Sequence, residues 1–250
     1  MILVRVHSWR FVMFLLVVAC IALAAFVLGS RYGRADQPDY EGLHSADPVK
    51  RAAAVQAIRR TRDVGAVSQL LDQLSDPDPA VGLYVAQALG DLATAQALEA
   101  LRADLSNVDP NVRFRAALAL GQRRDVNATA ALTRALRDPD VLVQRTAAES
   151  LAQIGTPEAV DSLVSALSSQ QESIIHNVMN ALQVLGDAAV FDLMEALNSN
   201  NPVVRTNAST ALGYIRSPPA AKALEAAATD GDLNVAKEAA WALSETQNRR

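Results

Sequence analysis

Apolar residues follow two patterns along this sequence. The first is a block: Phe11 to Gly29, FVMFLLVVACIALAAFVLG, is 19 residues without a charge. As a helix it would be about 28 Å long, close to the ~30 Å hydrocarbon core of a bilayer. Trp9 and Tyr32 bracket it, where amphipathic rings favour the headgroup layer. Arg5 and Arg10 precede it, and Arg31 and Arg34 follow. We read residues 1–10 as a basic tail, 11–29 as a transmembrane signal anchor and 30–45 as an exposed spacer without helical period.

Two other readings of the block stay open. Ala22-Leu23-Ala24 offers a signal-peptide cleavage site, and Val17-Val18-Ala19-Cys20 resembles a lipoprotein box whose Cys20 would be lipidated. Both would leave a mature chain starting on apolar residues, so the uncleaved anchor is preferred. Two arginines on each side nearly cancel under the positive-inside rule. The free amino end, with Asp36 and Asp39 beyond the block, tips the reading toward a large domain outside the cytoplasm, in a periplasm or equivalent. A cytoplasmic-facing domain is the alternative.

The second pattern is periodic. Short motifs end at Arg59, Gly90, Gly121, Ala152, Gln183, Gly213 and Ser244, at intervals of 31, 31, 31, 31, 30 and 31 residues. Eight residues before the motif's central Leu stands Val81, Val112, Val143, Ile174, Val204 or Val235, with Lys50 breaking the column. Twelve residues before each motif end comes Asp47, Asp78, Asp109, Asp140, Gln171, Asn201 or Asp232, four of them followed by Pro. Asp or Asn before Pro starts a helix: the side chain accepts from free first-turn amides, and Pro has the right φ and no N–H to leave unpaired. Each repeat therefore opens with a capped helix A. A turn follows, often holding Gly or Asp, and then a helix B marked by runs such as Val160, Leu163 and Leu167. The 30-residue interval is one residue lost in the turn Gly186-Asp187-Ala188.

Composition agrees. The 47 Ala and 31 Leu against 4% aromatic residues favour helices packed through small side chains. Residues 1–34 carry four arginines and no acid; residues 35–250 carry 19 Lys and Arg against 27 Asp and Glu, a net −8. That balance argues against nucleic acid. A single cysteine excludes an intramolecular disulfide and a Cys-based zinc site.

Asp109-Pro110-Asn111-Val112-Arg113-Phe114-Arg115-Ala116-Ala117-Leu118-Ala119-Leu120-Gly121 resembles a HEAT repeat, in particular the short bacterial kind of the phycobilisome-lyase type. The resemblance covers roughly residues 46–250. It implies an all-α, right-handed solenoid of about seven helix-pair repeats, with Ala and Gly on the A helices letting neighbours approach closely. It also implies functions as varied as chromophore-lyase subunits, scaffolds and binding modules.

Candidate chemistry is sparse. The Asp column reads as helix caps, because carboxylates ~8–10 Å apart in neighbouring repeats cannot share one ion. His176 has no Cys or second His within the repeats and reads as a solvent-facing position. No Gly-rich phosphate loop or nucleophile–base pattern is found. The sequons at Asn127 and Asn207 matter only in a eukaryotic secretory pathway. No cofactor, metal site, small-molecule substrate or catalytic set is expected.

Two surfaces are candidates for partners. Leu83, Tyr84, Phe114, Leu118 and Trp241 fall at or beside A-helix positions expected to face solvent, where grouped apolar residues mark a partner surface. Arg59, Arg60, Arg62, Arg123, Arg124 and Arg216 fall at the A–B turns, along one edge. Cations there either favour helix C-termini or offer an edge to an anionic partner or lipid headgroups. The leading expectation is a membrane-tethered scaffold or assembly factor for a protein partner, not an enzyme. The alternatives are a tetrapyrrole lyase-type subunit and an anionic-lipid or nucleic-acid binder using the arginine edge.

Overall fold

The computed structural model describes residues 40–247. The proposed anchor and the first part of the spacer lie outside the described residues. Among the described residues there are thirteen α-helices and no strand.

The A helices are α1 (Pro48–Thr61), α3 (Pro79–Leu92), α5 (Pro110–Arg123), α7 (Val141–Ile154), α9 (Glu172–Leu185), α11 (Pro202–Ile215) and α13 (Leu233–Gln247). The first six have 14 residues each and the last 15. The B helices between them are α2 (Val67–Asp72), α4 (Ala95–Asp104), α6 (Thr129–Ala135), α8 (Pro157–Ala166), α10 (Val190–Ala196) and α12 (Pro218–Ala227). Each A helix packs on the A helices before and after it, and successive B helices pack likewise except between α4 and α6, giving a two-layer, solenoid-like stack.

The capping column works as its chemistry demands. Asp47 accepts from the Val49 amide at 2.9 Å, Asp78 from Ala80, Asp109 from Asn111, Asp140 from Leu142, Asn201 from Val203 and Asp232 from Asn234. Gln171 makes no side-chain cap. At the other end, every A helix from α1 to α11 stops on a residue with positive φ: Arg62, Ala93, Arg124, Gly155, Gly186 and Arg216. These stops are 31 residues apart except for the last, at 30.

The turn residue that follows alternates. Thr94, Thr156 and Ser217 cap α4, α8 and α12 directly. Asp63 and Asp125 instead accept from the amide two residues on, and a 3-10 turn (Val64–Ala66, Val126–Ala128) leads into α2 and α6. Asp187 sits inside the corresponding turn Gly186–Ala189 before α10. The stack thus carries a two-repeat superperiod.

The core is a continuous seam of Ala, Leu and Val. Gly121 and Gly213 stand on it because the next A helix comes too close for a side chain, while a Cβ on Gly90 would press more lightly, 3.3 Å from Ala119 O. A Cβ on Gly121 would lie 2.8 Å from Ser150 Cα, and one on Gly213 would lie 2.6 Å from Ala242 Cβ. Arginine clamps tie successive repeats. Arg51, Arg113 and Arg205 each bind the carboxylate 25 residues on (Asp76, Asp138, Asp230) through two nitrogens, at 2.7–3.0 Å. Each also donates to a carbonyl six residues back.

Two features differ from expectation. Residues Glu41–His44, within the stretch read as spacer, form a 3-10 turn that buries Leu43 completely against the first repeat. The last motif end, Ser244, is not the end of its A helix, because α13 runs on to Gln247. The segment Glu172–Ala196 is long and apolar enough to cross a membrane by length and composition. In the stack it is α9 and α10, broken at Gly186 and packed between neighbouring repeats.

Candidate partner-binding surface

The A-helix seam is uneven. At the motif end, glycine lets α5 meet α7 and α11 meet α13. In the fifth repeat that position is Gln183, whose side chain needs room that glycine does not. The A–B turn just after it is the one shortened by a residue, and Gly186 adopts φ 58°, ψ −131°, a conformation essentially restricted to glycine. Between them, α9 and α11 make the loosest contact of any successive pair of A helices.

A groove of about 1000 Å³ opens there. From α9 it is lined by Ile175, His176, Met179 and Asn180 among others, and from α11 by Val203, Asn207, Thr210 and Tyr214. Gln183 and Arg216 stand near the C-terminal ends of the two helices. Met179 is buried, while Val203 and Tyr214 are exposed. His176 and Asn180 lie one helical turn apart, with His176 Nε2 3.2 Å from Asn180 Nδ2. Asn207 donates through Nδ2 to Leu167 O at 2.9 Å, which fixes its amide. The lining combines apolar side chains with amides and hydroxyls. It can hold a peptide segment by apolar contact while satisfying polar groups on that segment.

The candidates from sequence distribute differently. Leu83, Tyr84, Phe114 and Leu118 are half-buried, and Tyr84 and Phe114 pack against the core. Of the five, only Trp241 is exposed, on the last helix. Arg60, Arg62, Arg123 and Arg124 are exposed at the turns. Arg59 is half-buried and paired with Asp91, and Arg216 reaches Glu245 at 3.6 Å. Sequence reasoning missed the groove and placed His176 only as solvent-facing. The available signal was Gln183, a long side chain at a position that is Gly or Ala in the other repeats from the second to the sixth, beside the 30-residue interval.

The family model for HEAT repeats matches residues 40–107, 103–185 and 192–250. The chain belongs to the HEAT-repeat family. Among solved structures, human deoxyhypusine hydroxylase in complex with glycerol is 23% identical, with 84% of this chain and 83% of that chain covered and a TM-score of 0.37. An engineered protein is 25% identical over 73% of this chain and 96% of its own, TM-score 0.37. The complex of CpcE and CpcF of phycocyanin lyase, from a Nostoc species, is 22% identical over 85% and 94%, TM-score 0.46. No curated protein matches. The groove is thus an irregularity within a HEAT array, at the junction of its fifth and sixth repeats.

Proposed function

We propose that this HEAT-repeat protein is a membrane-tethered scaffold that binds a protein partner and has no catalytic activity of its own. The observation that carries the binding half is the groove between α9 and α11, where an otherwise close-packed seam opens onto mixed apolar and amide side chains. Repeat arrays offer extended surfaces for protein recognition. The tethering half rests on the uncharged stretch 11–29 and its flanking arginines. The reading includes a right-handed superhelical sense and a repeat domain outside the cytoplasm.

The test uses the full chain in its native membranes. A photo-crosslinking residue at Tyr214 is expected to give one discrete protein adduct, and the same residue at the exposed Ser165 on α8 none. Equal adducts from both positions, or none, would refute groove binding. Release of the full chain by alkaline carbonate would refute the tether.

A further inference from the structure

The exposed arginines of the first and third repeats have lost the acids beside them to internal partners. Asp63 accepts from the Tyr40 hydroxyl and from the Gly65 amide. Asp91 is taken by Arg59. Asp125, nearly buried, accepts from Arg102 Nη1 at 2.7 Å and from the Asn127 amide. Arg60, Arg62, Arg123 and Arg124 are left exposed, with no ion pair among the described residues. Glu41, next to Tyr40, is an exposed acid where the chain enters the domain.

Two of the four sit where a side chain is costly. Arg62 and Arg124 have φ 52° and 54°, at a turn position that glycine fills in the fourth and fifth repeats. Ala93 and Arg216 share this left-handed stop, which ends the A helices throughout the stack. The same repeat position two repeats apart puts these two guanidinium groups on one edge, roughly 16–20 Å from each other.

The chain enters the domain at this edge. The Tyr40 hydroxyl bonds Asp63, the residue after Arg62. Only ten residues separate Tyr40 from Gly29, the end of the apolar stretch. Ten residues cannot span more than about 36 Å even when fully extended. With the tether proposed above, so short a connection leaves the arginine edge within reach of the bilayer surface, where anionic headgroups attract basic side chains.

We propose that the A–B turn edge of the first and third repeats, through Arg60, Arg62, Arg123 and Arg124, lies against anionic phospholipid headgroups of the membrane that anchors the chain. This rests on the tether proposed above. It assigns the domain an orientation: the arginine edge toward the bilayer and the opposite edge, with Val108 at its exposed tip, away from it.

The experiment uses the full chain in vesicles of phosphatidylcholine, with and without about a third of phosphatidylglycerol. A spin label on Gln122→Cys or Val108→Cys, each with Cys20→Ser, reports relaxation by a paramagnetic ion held at the lipid headgroups. The expected result is strong relaxation at position 122 in anionic vesicles only, weak relaxation at 108, and loss of the difference at high salt. Arg62→Gln with Arg124→Gln should lower the docked-to-undocked ratio by about 25-fold, since each basic residue near the surface contributes about fivefold. Equal relaxation at both positions, or none that depends on lipid charge, would overturn the orientation while leaving the tether standing. A chain stripped from the vesicles by carbonate would overturn both.

Discussion

Gly82 and Arg115 occupy one space. A Cβ on Gly82 would overlap the Arg115 guanidinium, with Nε only 2.7 Å away. That guanidinium is buried and donates through Nη1 to Leu74 O at 2.8 Å, 41 residues earlier. In the first, third and sixth repeats, the position of Gly82 holds the clamp arginines Arg51, Arg113 and Arg205. The second repeat has no clamp of its own and receives an arginine from the third.

Gly82→Ala should therefore destabilise by about 1–3 kcal/mol, since overpacking outweighs the ~1 kcal/mol that Ala gains over Gly in a helix. Arg115→Met should also destabilise, because Leu74 O loses its donor. In the Arg115→Met background, Gly82→Ala should become neutral or stabilising. Urea midpoints for the four proteins of this cycle check it, and additive losses would contradict the shared space.

The clamps predict an acid limit. Burial alone would raise the carboxyl pKa of Asp76 and of Asp138. The guanidinium bonds of Arg51 and Arg113, with the amides of Asp78 and Asp140, outweigh it and hold both below the ordinary value. Asp230 is lowered chiefly by its bonds to Arg205. A carboxyl lowered on folding binds fewer protons folded than unfolded. Its stabilisation is complete above the unfolded value, near 4, and is lost as pH falls through the folded one. Stability should be flat above about pH 5 and drop below about 4. Asp138→Asn should flatten that drop and lower stability at neutral pH. Parallel pH profiles for the two proteins would count against the clamp.

The seam glycines and Gln183 should respond in opposite ways. Gly121→Ala forces a methyl group against the Ser150 backbone and should cost about 1–3 kcal/mol in chemical denaturation. Gln183→Ala leaves helix propensity nearly unchanged and lets α9 and α11 draw together. It should slow amide exchange along α11 and weaken the crosslink from Tyr214. An unaltered crosslink would show that the groove's opening has another cause.

The positive-φ stops give a stability change without any contact. Ala93→Gly should stabilise by about 1 kcal/mol, because Ala93 sits at φ 50° with no side-chain role at that turn. Gly186→Ala should destabilise by roughly 1–3 kcal/mol, given its glycine-only conformation. Thermal melts of the two variants decide both, and a lower melting temperature for Ala93→Gly would refute the first.

Much of this fold is legible in one dimension. The repeat interval, the capping Asp column and the pairing of an A with a B helix depend on contacts within a few residues, and the spacing of Val112, Ala116 and Leu120 records them directly. What escapes depends on how far apart two helices stand. Phe114 and Leu118 fall at positions that look solvent-facing on an isolated helix, yet the rotation of α5 half-buries both. Arg113 and Asp138, 25 residues apart, carry no local mark of being partners. The groove leaves only Gln183 and a missing residue as its trace, because it is a lack of contact.

The loose junction between α9 and α11 also has a mechanical meaning. A stack whose units touch only their neighbours resembles springs joined in series, and such a chain bends most at its softest joint. Strain between a fixed first repeat and a load held near the last would collect at the Gly186 turn. The close glycine contacts of α5–α7 and α11–α13 would stay nearly rigid. The array then acts as two stiff arms with an elbow, and the groove lies at the elbow, so whatever seats there sets the angle between them.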